Sequence, residues 1–182
     1  MIVLEYFTRS DFDQLMKWIT NERLLLNWTG AMFTYPLTEE KLEWYIKDTN
    51  DPDTSDALIY KAVNTETGEA VGHISIGNIS RKNRSARISR VLIGNTCERG
   101  KGYCQAIIQA ALRIGFEELQ LHRISLGVYA YNHAAIRCYE RCGFIKEGLS
   151  RDVFKYRDEY WSLVEMGILE EEWQQFSLKN VA

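Results

Sequence analysis

Apolar positions divide the chain into short alternating or continuous runs and a few segments of helical spacing. Ile2-Val3-Leu4-Glu5-Tyr6-Phe7 reads as a first strand. Thr8 to Ser10 supply a cap, and Phe12, Leu15, Met16 and Ile19 fall on one face of a helix over Asp11–Arg23. Residues 27–37 carry Trp28, Gly30, Phe33, Tyr35 and Pro36, which predicts an aromatic loop. Thr38-Glu39-Glu40 opens a second helix with Leu42, Tyr45 and Ile46 inward, and the turn formers from Asn50 to Asp56 make a loop. Strands follow over Ala57–Val63 and Ala70–Ile76, joined by the turn Thr65-Glu66-Thr67-Gly68, and a hairpin around Arg81–Ser85 leads into a strand ending at Ile93. Beyond it come a helix patterned by Ala106, Ile107, Ala110, Ala111 and Ile114, a strand over His122–Tyr129 and a helix over Ala134–Cys142. A hairpin of Phe144–Tyr156 and Tyr160–Leu169 closes the pattern. No repeat, linker or low-complexity segment interrupts it, so residues 1–182 are expected to form one domain.

The junction between the Val91-Leu92-Ile93 run and the next helix carries Arg99-Gly100-Lys101-Gly102-Tyr103-Cys104. Glycines where a strand hands over to a helix leave backbone N–H groups facing outward beside the positive end of the helix dipole, a receptor for phosphate. A nucleotide P-loop does not fit, because Lys101 is followed by Gly102 rather than Ser or Thr. A dinucleotide fingerprint does not fit either, because Gln105 stands where a third glycine or alanine belongs. An ordinary strand-to-helix turn remains open on these residues alone.

Further on stands Asn132-His133-Ala134-Ala135-Ile136-Arg137-Cys138-Tyr139-Glu140-Arg141-Cys142-Gly143-Phe144. Taken with the glycine turn, the chain resembles the GNAT family of acetyl-CoA-dependent N-acetyltransferases. The family turn, [QR]-x-x-G-x-[GA], is met by Arg99 and Gly102 and departs at Cys104; the later signature, N-x-x-A-x-x-x-Y then G-F, is met at Asn132, Ala135, Tyr139, Gly143 and Phe144. The likeness covers residues 70–170 best. Tyr35-Pro36-Leu37-Thr38 and the ending Leu169–Trp173 resemble the RimJ/RimL-type branch. The resemblance implies an α+β fold with a splayed, mostly antiparallel sheet and helices on both faces. It implies acetyl-CoA as co-substrate and an amine acceptor, either a peptide N-terminus or a small molecule such as a polyamine, amino sugar or amino acid. A homodimer is compatible with such folds, though no interface can be read from the sequence.

By the same resemblance, backbone groups of Val91, Leu92 and Ile93 meet the pantetheine arm and the nascent oxyanion. Arg99, Gly100, Lys101, Gly102, Tyr103 and Cys104 hold the pyrophosphate, Asn132 caps a helix beside the cofactor, and Tyr139 protonates the departing thiolate. A phenol near pKa 10 can do so for a thiol near 8.5 if the proton arrives as the bond breaks. Plain packing of Tyr139 and a plain N-cap at Asn132 are the structural alternatives. The base is not identified: relatives carry an acidic residue where this chain has Gly127 or near Arg87, leaving Glu22, His73, His133 or water. A non-catalytic acyl-CoA sensor and a cofactor-free interaction module therefore stay open.

Composition changes this picture little. A hydrophobic content of 46% and an aromatic content of 12% fit a globular protein. A formal net charge of −3 argues against nucleic-acid binding, and no apolar run is long enough to span a membrane, so a cytoplasmic protein is expected. Cysteines stand at 97, 104, 138 and 142. Without a secretory signal they are expected as reduced, partly buried thiols, and their spacing does not favour zinc, so no metal is expected. Cys104, near a helix N-terminus, is a candidate reactive thiol. Arg81, Lys82, Arg84, Arg87 and Arg90 read as a solvated hairpin face or as a site for an acidic partner or a CoA phosphate.

Overall fold

The computed structural model describes residues 1–94 and 102–181. Seven strands, β1 (Ile2–Tyr6), β2 (Leu58–Asn64), β3 (Ala70–Ser80), β4 (Ser85–Ile93), β5 (Arg123–Tyr129), β6 (Ile145–Tyr156) and β7 (Glu159–Leu169), form one sheet. Their order is β1-β2-β3-β4-β5-β7-β6. Every neighbouring pair is antiparallel except β4 and β5. That parallel pair is joined through α4 (Tyr103–Arg113), as a crossover requires.

Helices cover both faces. On one side α1 (Phe12–Trp18), α2 (Glu22–Thr29) and α3 (Glu39–Ile46) bury Phe12, Leu15, Trp18, Leu25, Trp28, Leu42 and Tyr45 against Ile59 and Leu92. On the other, α4 and α5 (His133–Arg141) pack Ile107, Ile108, Ala111, Ile136 and Tyr139 onto Ile74, Ile88, Leu126 and Met166. A last helix, α6 (Glu170–Val181), not expected from the pattern, lays Trp173 against Phe116.

The single helix expected over 11–23 is two. The chain leaves helical geometry at Ile19 and restarts at Asn21, whose extended backbone and side-chain oxygen cap α2 by accepting from Leu24 N–H at 2.9 Å. This break turns α2 across the mouth of the sheet. Part of the expected aromatic loop is thereby helical, because α2 runs to Thr29.

Candidate active site

The site arises where the sheet comes apart. β4 and β5 pair only from Ser85↔Arg123 to Ile88↔Leu126. Beyond that point β4 continues on β3 alone and β5 on β7 alone. β4 also carries a bulge: Ser75↔Ser89 is followed by His73↔Leu92, one residue too many on β4, with Arg90 at φ 53°. The bulge bends β4 away from β5 and leaves the ladder unpaired in between.

Two cavities fill the gap. The smaller, about 240 Å³, lies under α2 among Arg87, Ser89, Gly127, Tyr129 and Leu163. The larger, about 880 Å³, runs along Val91, Leu92 and Ile93 to Gly102, Tyr103 and Cys104 on one wall and to Asn132, Ala135 and Cys138 on the other. Asn27, Val91, Asn132 and Tyr139 line both, so the two cavities adjoin at these residues, which form the waist between them. The structure thus gathers Val91, Leu92, Ile93, Gly102, Tyr103, Cys104, Asn132 and Tyr139 around one cleft. Arg99, Gly100 and Lys101 lie outside the described residues.

Each element has a local cause. Gly102 adopts φ 82° as the N-cap of α4, a left-handed conformation that suits glycine, and Ala106 N–H is the first to bond back to the Gly102 carbonyl at 3.1 Å. The N–H groups of Tyr103, Cys104 and Gln105 consequently have no acceptor within the helix and sit at its positive end, on the wall of the larger cavity. Asn132 caps α5, accepting from Ala135 N–H at 3.2 Å. Tyr139 is 93% buried, and burial pushes its phenol above the ordinary value. It stays protonated through the neutral range.

α2 roofs the smaller cavity. The Trp28 indole N–H donates to the Arg90 carbonyl at 2.8 Å, and the Tyr131 hydroxyl donates to Asn27 Oδ1 at 2.8 Å. Arg23 donates to Glu159 at 3.1 Å while its guanidinium lies 5.3–5.6 Å from the rings of Tyr131, Tyr156 and Trp161. These contacts hold the helix to β4, to the segment after β5, and to β6 and β7.

The remaining base candidates lie elsewhere. His73 is fully buried among Phe7, Trp28 and Tyr45; its Nδ1–H donates to the Arg90 carbonyl at 3.0 Å, and burial lowers its pKa to about 4. Glu22 lies beside Arg157 at 3.8 Å, and His133 is exposed at the start of α5. Neither lines the cleft. Among the described residues no carboxylate or imidazole lines either cavity.

The expectation about sulfur needs correction. Cys104 and Cys138 are joined by a disulfide between α4 and α5, with their Cα atoms 6.5 Å apart, so neither is a free thiol. Only the packing of the two helices brings these residues together, across 34 residues of chain. Cys142 remains a buried thiol. The basic hairpin is dispersed: Arg81 donates to the Pro52 and Ser55 carbonyls, Arg84 reaches Glu170, Arg87 pairs with Glu165 at 2.9 Å, and Arg90 reaches Ser75 and Ser89. The cations lining the larger cavity are Arg23 on α2 and Arg137 and Arg141, one turn apart on α5. The signal of the α5 pair was present in the sequence, in the i,i+4 spacing beside Asn132 and Tyr139. Of the aromatic group expected near the acceptor, Trp28 lines the smaller cavity, Trp18, Phe33 and Tyr45 are core, and Tyr35 and Trp44 are exposed. No group of three or more metal-ligating side chains occurs among the described residues. No helix there is long and apolar enough to cross a membrane.

The acetyltransferase (GNAT) domain family matches residues 2–145, and the chain belongs to it. Its sequence is 32% identical to a spermidine N(1)-acetyltransferase of Vibrio cholerae over 55% of this chain and 57% of that protein. It is 33% identical to the putative ribosomal N-acetyltransferase YdaF of Bacillus subtilis over 59% of this chain and 57% of that protein. The chain therefore spans about half the length of the curated relatives it matches. The fold is that of a crystal structure of the Vibrio cholerae spermidine N-acetyltransferase with CoA and spermine, at TM-score 0.80 and 23% identity, over 95% of this chain and 98% of that one.

Proposed function

We propose that residues 1–182 act as a single acetyltransferase domain that moves an acetyl group from acetyl-CoA to a primary amine by direct transfer. The observation that carries this reading is the common waist of the two cavities, where Val91 and Tyr139 face both. A thioester reaching the waist from the larger cavity meets an amine reaching it from the smaller. The larger cavity suits CoA: free N–H groups of α4 face a pyrophosphate, and Arg137 and Arg141 add positive charge. Acetyl-CoA supplies the activated acyl group as a thioester.

The chain's own residues then have three tasks. Backbone N–H groups on the bulged part of β4, freed from the β5 ladder, stabilise the oxyanion. Tyr139, kept neutral by burial, delivers a proton to the leaving sulfur. The smaller cavity excludes water and aligns the amine under α2. With no carboxylate or imidazole lining it among the described residues, the attacking amine enters already neutral.

The roofed volume of about 240 Å³ favours a slender amine, such as the end of a polyamine, an amino sugar or an amino acid. The relative named for spermidine supports this class. The RimJ/RimL-type likeness and the relative named as a putative ribosomal acetyltransferase support a peptide N-terminus as the alternative. The missing base favours one second reading, a non-catalytic acyl-CoA sensor.

Incubation with acetyl-CoA and a panel of amines and N-terminal peptides, read by mass, tests all three. An acetylated amine establishes the enzyme and its acceptor class. Acetyl-CoA binding without any product supports the sensor, and no binding removes both.

A further inference from the structure

The disulfide stands where the cofactor reading puts its most sensitive contacts. Cys104 is in the first turn of α4 and contributes one of the N–H groups that have no acceptor within that helix. Cys138 lies on α5 between Asn132, which caps that helix, and Tyr139, which follows it directly. Both cysteines line the larger cavity and are half-buried, within reach of a small molecule that enters it. The bond therefore ties the anion-holding end of one helix to the helix that carries the general acid.

We propose that Cys104–Cys138 is a thiol–disulfide exchange site for low-molecular-weight thiols, and that its bonded form sets the cleft for acetyl-CoA. This rests on reading the larger cavity as the acetyl-CoA cleft. Bonded, the two walls are held at one separation and the cofactor meets a preorganised receptor. On reduction the two sulfurs retreat to van der Waals distance and no covalent bond fixes that separation, which frees the first turn of α4 and the middle of α5 to shift relative to each other.

The exchange balances as a two-electron reduction. A thiolate attacks Cys138 Sγ, the bond to Cys104 breaks, and Cys104 leaves as a thiolate stabilised by the N-terminus of α4 before taking up a proton. A second thiol attacks the mixed disulfide, which releases the oxidised small thiol and Cys138 as a protonated thiol. Two thiols become one disulfide, and the protein gains two electrons and two protons. Cys142, one turn along α5, does not compete: it is buried against the Gln105 carbonyl, and burial raises its thiol to about 12.

The test equilibrates the whole chain in reduced and oxidised glutathione at set ratios and measures acetyl-CoA affinity by calorimetry. Acetyl-CoA has no free thiol, so the probe leaves the pair untouched. Peptide mapping should find Cys104 linked to Cys138 only in the oxidised protein. The oxidised form should bind about tenfold more tightly than the reduced form. Cys104→Ser and Cys138→Ser should hold the weaker affinity at every ratio, and Cys142→Ser should respond as the parent does.

Equal affinity in both redox states, tighter binding on reduction, or no linked peptide after oxidation overturns the inference and leaves the acetyltransferase reading standing. Absence of binding in both states overturns the two together. Circular dichroism of the parent protein with and without reductant separates a shifted cleft from an unfolded chain.

Discussion

The guanidinium of Arg87 lies over the α-carbon of Gly127, in the space that a β-carbon there would need. From that position it pairs with Glu165 on β7 at 2.9 Å. Three strands are thus joined across the floor of the smaller cavity, because Arg87 is on β4 and Gly127 on β5. The family pattern led to an acidic group at one of these two positions; here a cation occupies both.

Gly127→Ala should push Arg87 off Glu165. The obstacle is the far end of a flexible side chain, with Leu163 next at 3.0 Å, so the fold should tolerate the change. Both partners are about one-third exposed, which limits the ion pair to at most ~1 kcal/mol. The acceptor KM should rise about two- to fivefold, with acetyl-CoA affinity unchanged and Tm within ~2 °C of the parent. An unaltered acceptor KM would remove Arg87 from the acceptor floor.

His73 predicts acid sensitivity. Burial lowers its folded-state pKa from 6.5 to about 4, so between these values the unfolded chain binds the proton and the folded chain does not. Stability from this group is complete above pH 6.5 and is lost as pH falls towards 4, about 3 kcal/mol in all. Urea unfolding between pH 7 and pH 4 should show that slope, and His73→Asn, which keeps a donor for the Arg90 carbonyl, should remove most of it.

Most of the sheet could be read before the structure, because strand patterns such as Ala70–Ile76 and His122–Tyr129 are local. The asparagine and tyrosine of the later signature both line the two cavities. What escaped was set by tertiary packing. The disulfide depends on how α4 meets α5, and Arg137 and Arg141 reach the larger cavity through the way α5 is turned. The break before α2 was legible, since Asn21 is a good cap, but the apolar spacing from Phe12 to Ile19 masked it.

Reduction of Cys104–Cys138 should also cost global stability. The bond closes a loop with a sequence separation of 34, for which chain entropy gives about 3 to 4 kcal/mol. In a domain of this size that corresponds to a fall in Tm on the order of 10 °C. Calorimetry with and without reductant measures it, and a fall below about 2 °C would mean that the helices hold their packing without the bond.

Arg137 and Arg141 are exposed on the wall of the larger cavity and take part in no ion pair among the described residues. Charges left free beside a cleft await an anion. Each alanine substitution should weaken acetyl-CoA binding about three- to tenfold at low salt, and the difference from the parent should shrink as ionic strength rises. Binding that is unchanged, or equally weakened at every salt concentration, would argue against a phosphate contact.

Tyr139→Phe isolates the chemical step. The ring packs near Phe144, with centroids 6.2 Å apart, and phenylalanine preserves that contact while removing the proton donor. kcat should fall about 100-fold with acetyl-CoA affinity unchanged, the signature of an interaction made only in the transition state. Burial holds the phenol protonated, so no alkaline loss of activity should come from Tyr139 below about pH 10. With no carboxylate or imidazole on the cleft wall among the described residues, kcat/KM should climb with pH along the ionisation of the acceptor's own ammonium. Acceptors of different basicity should therefore give displaced profiles. Profiles that share one midpoint near neutrality would reveal an enzyme base instead, and a fully active Tyr139→Phe would assign the phenol to packing alone.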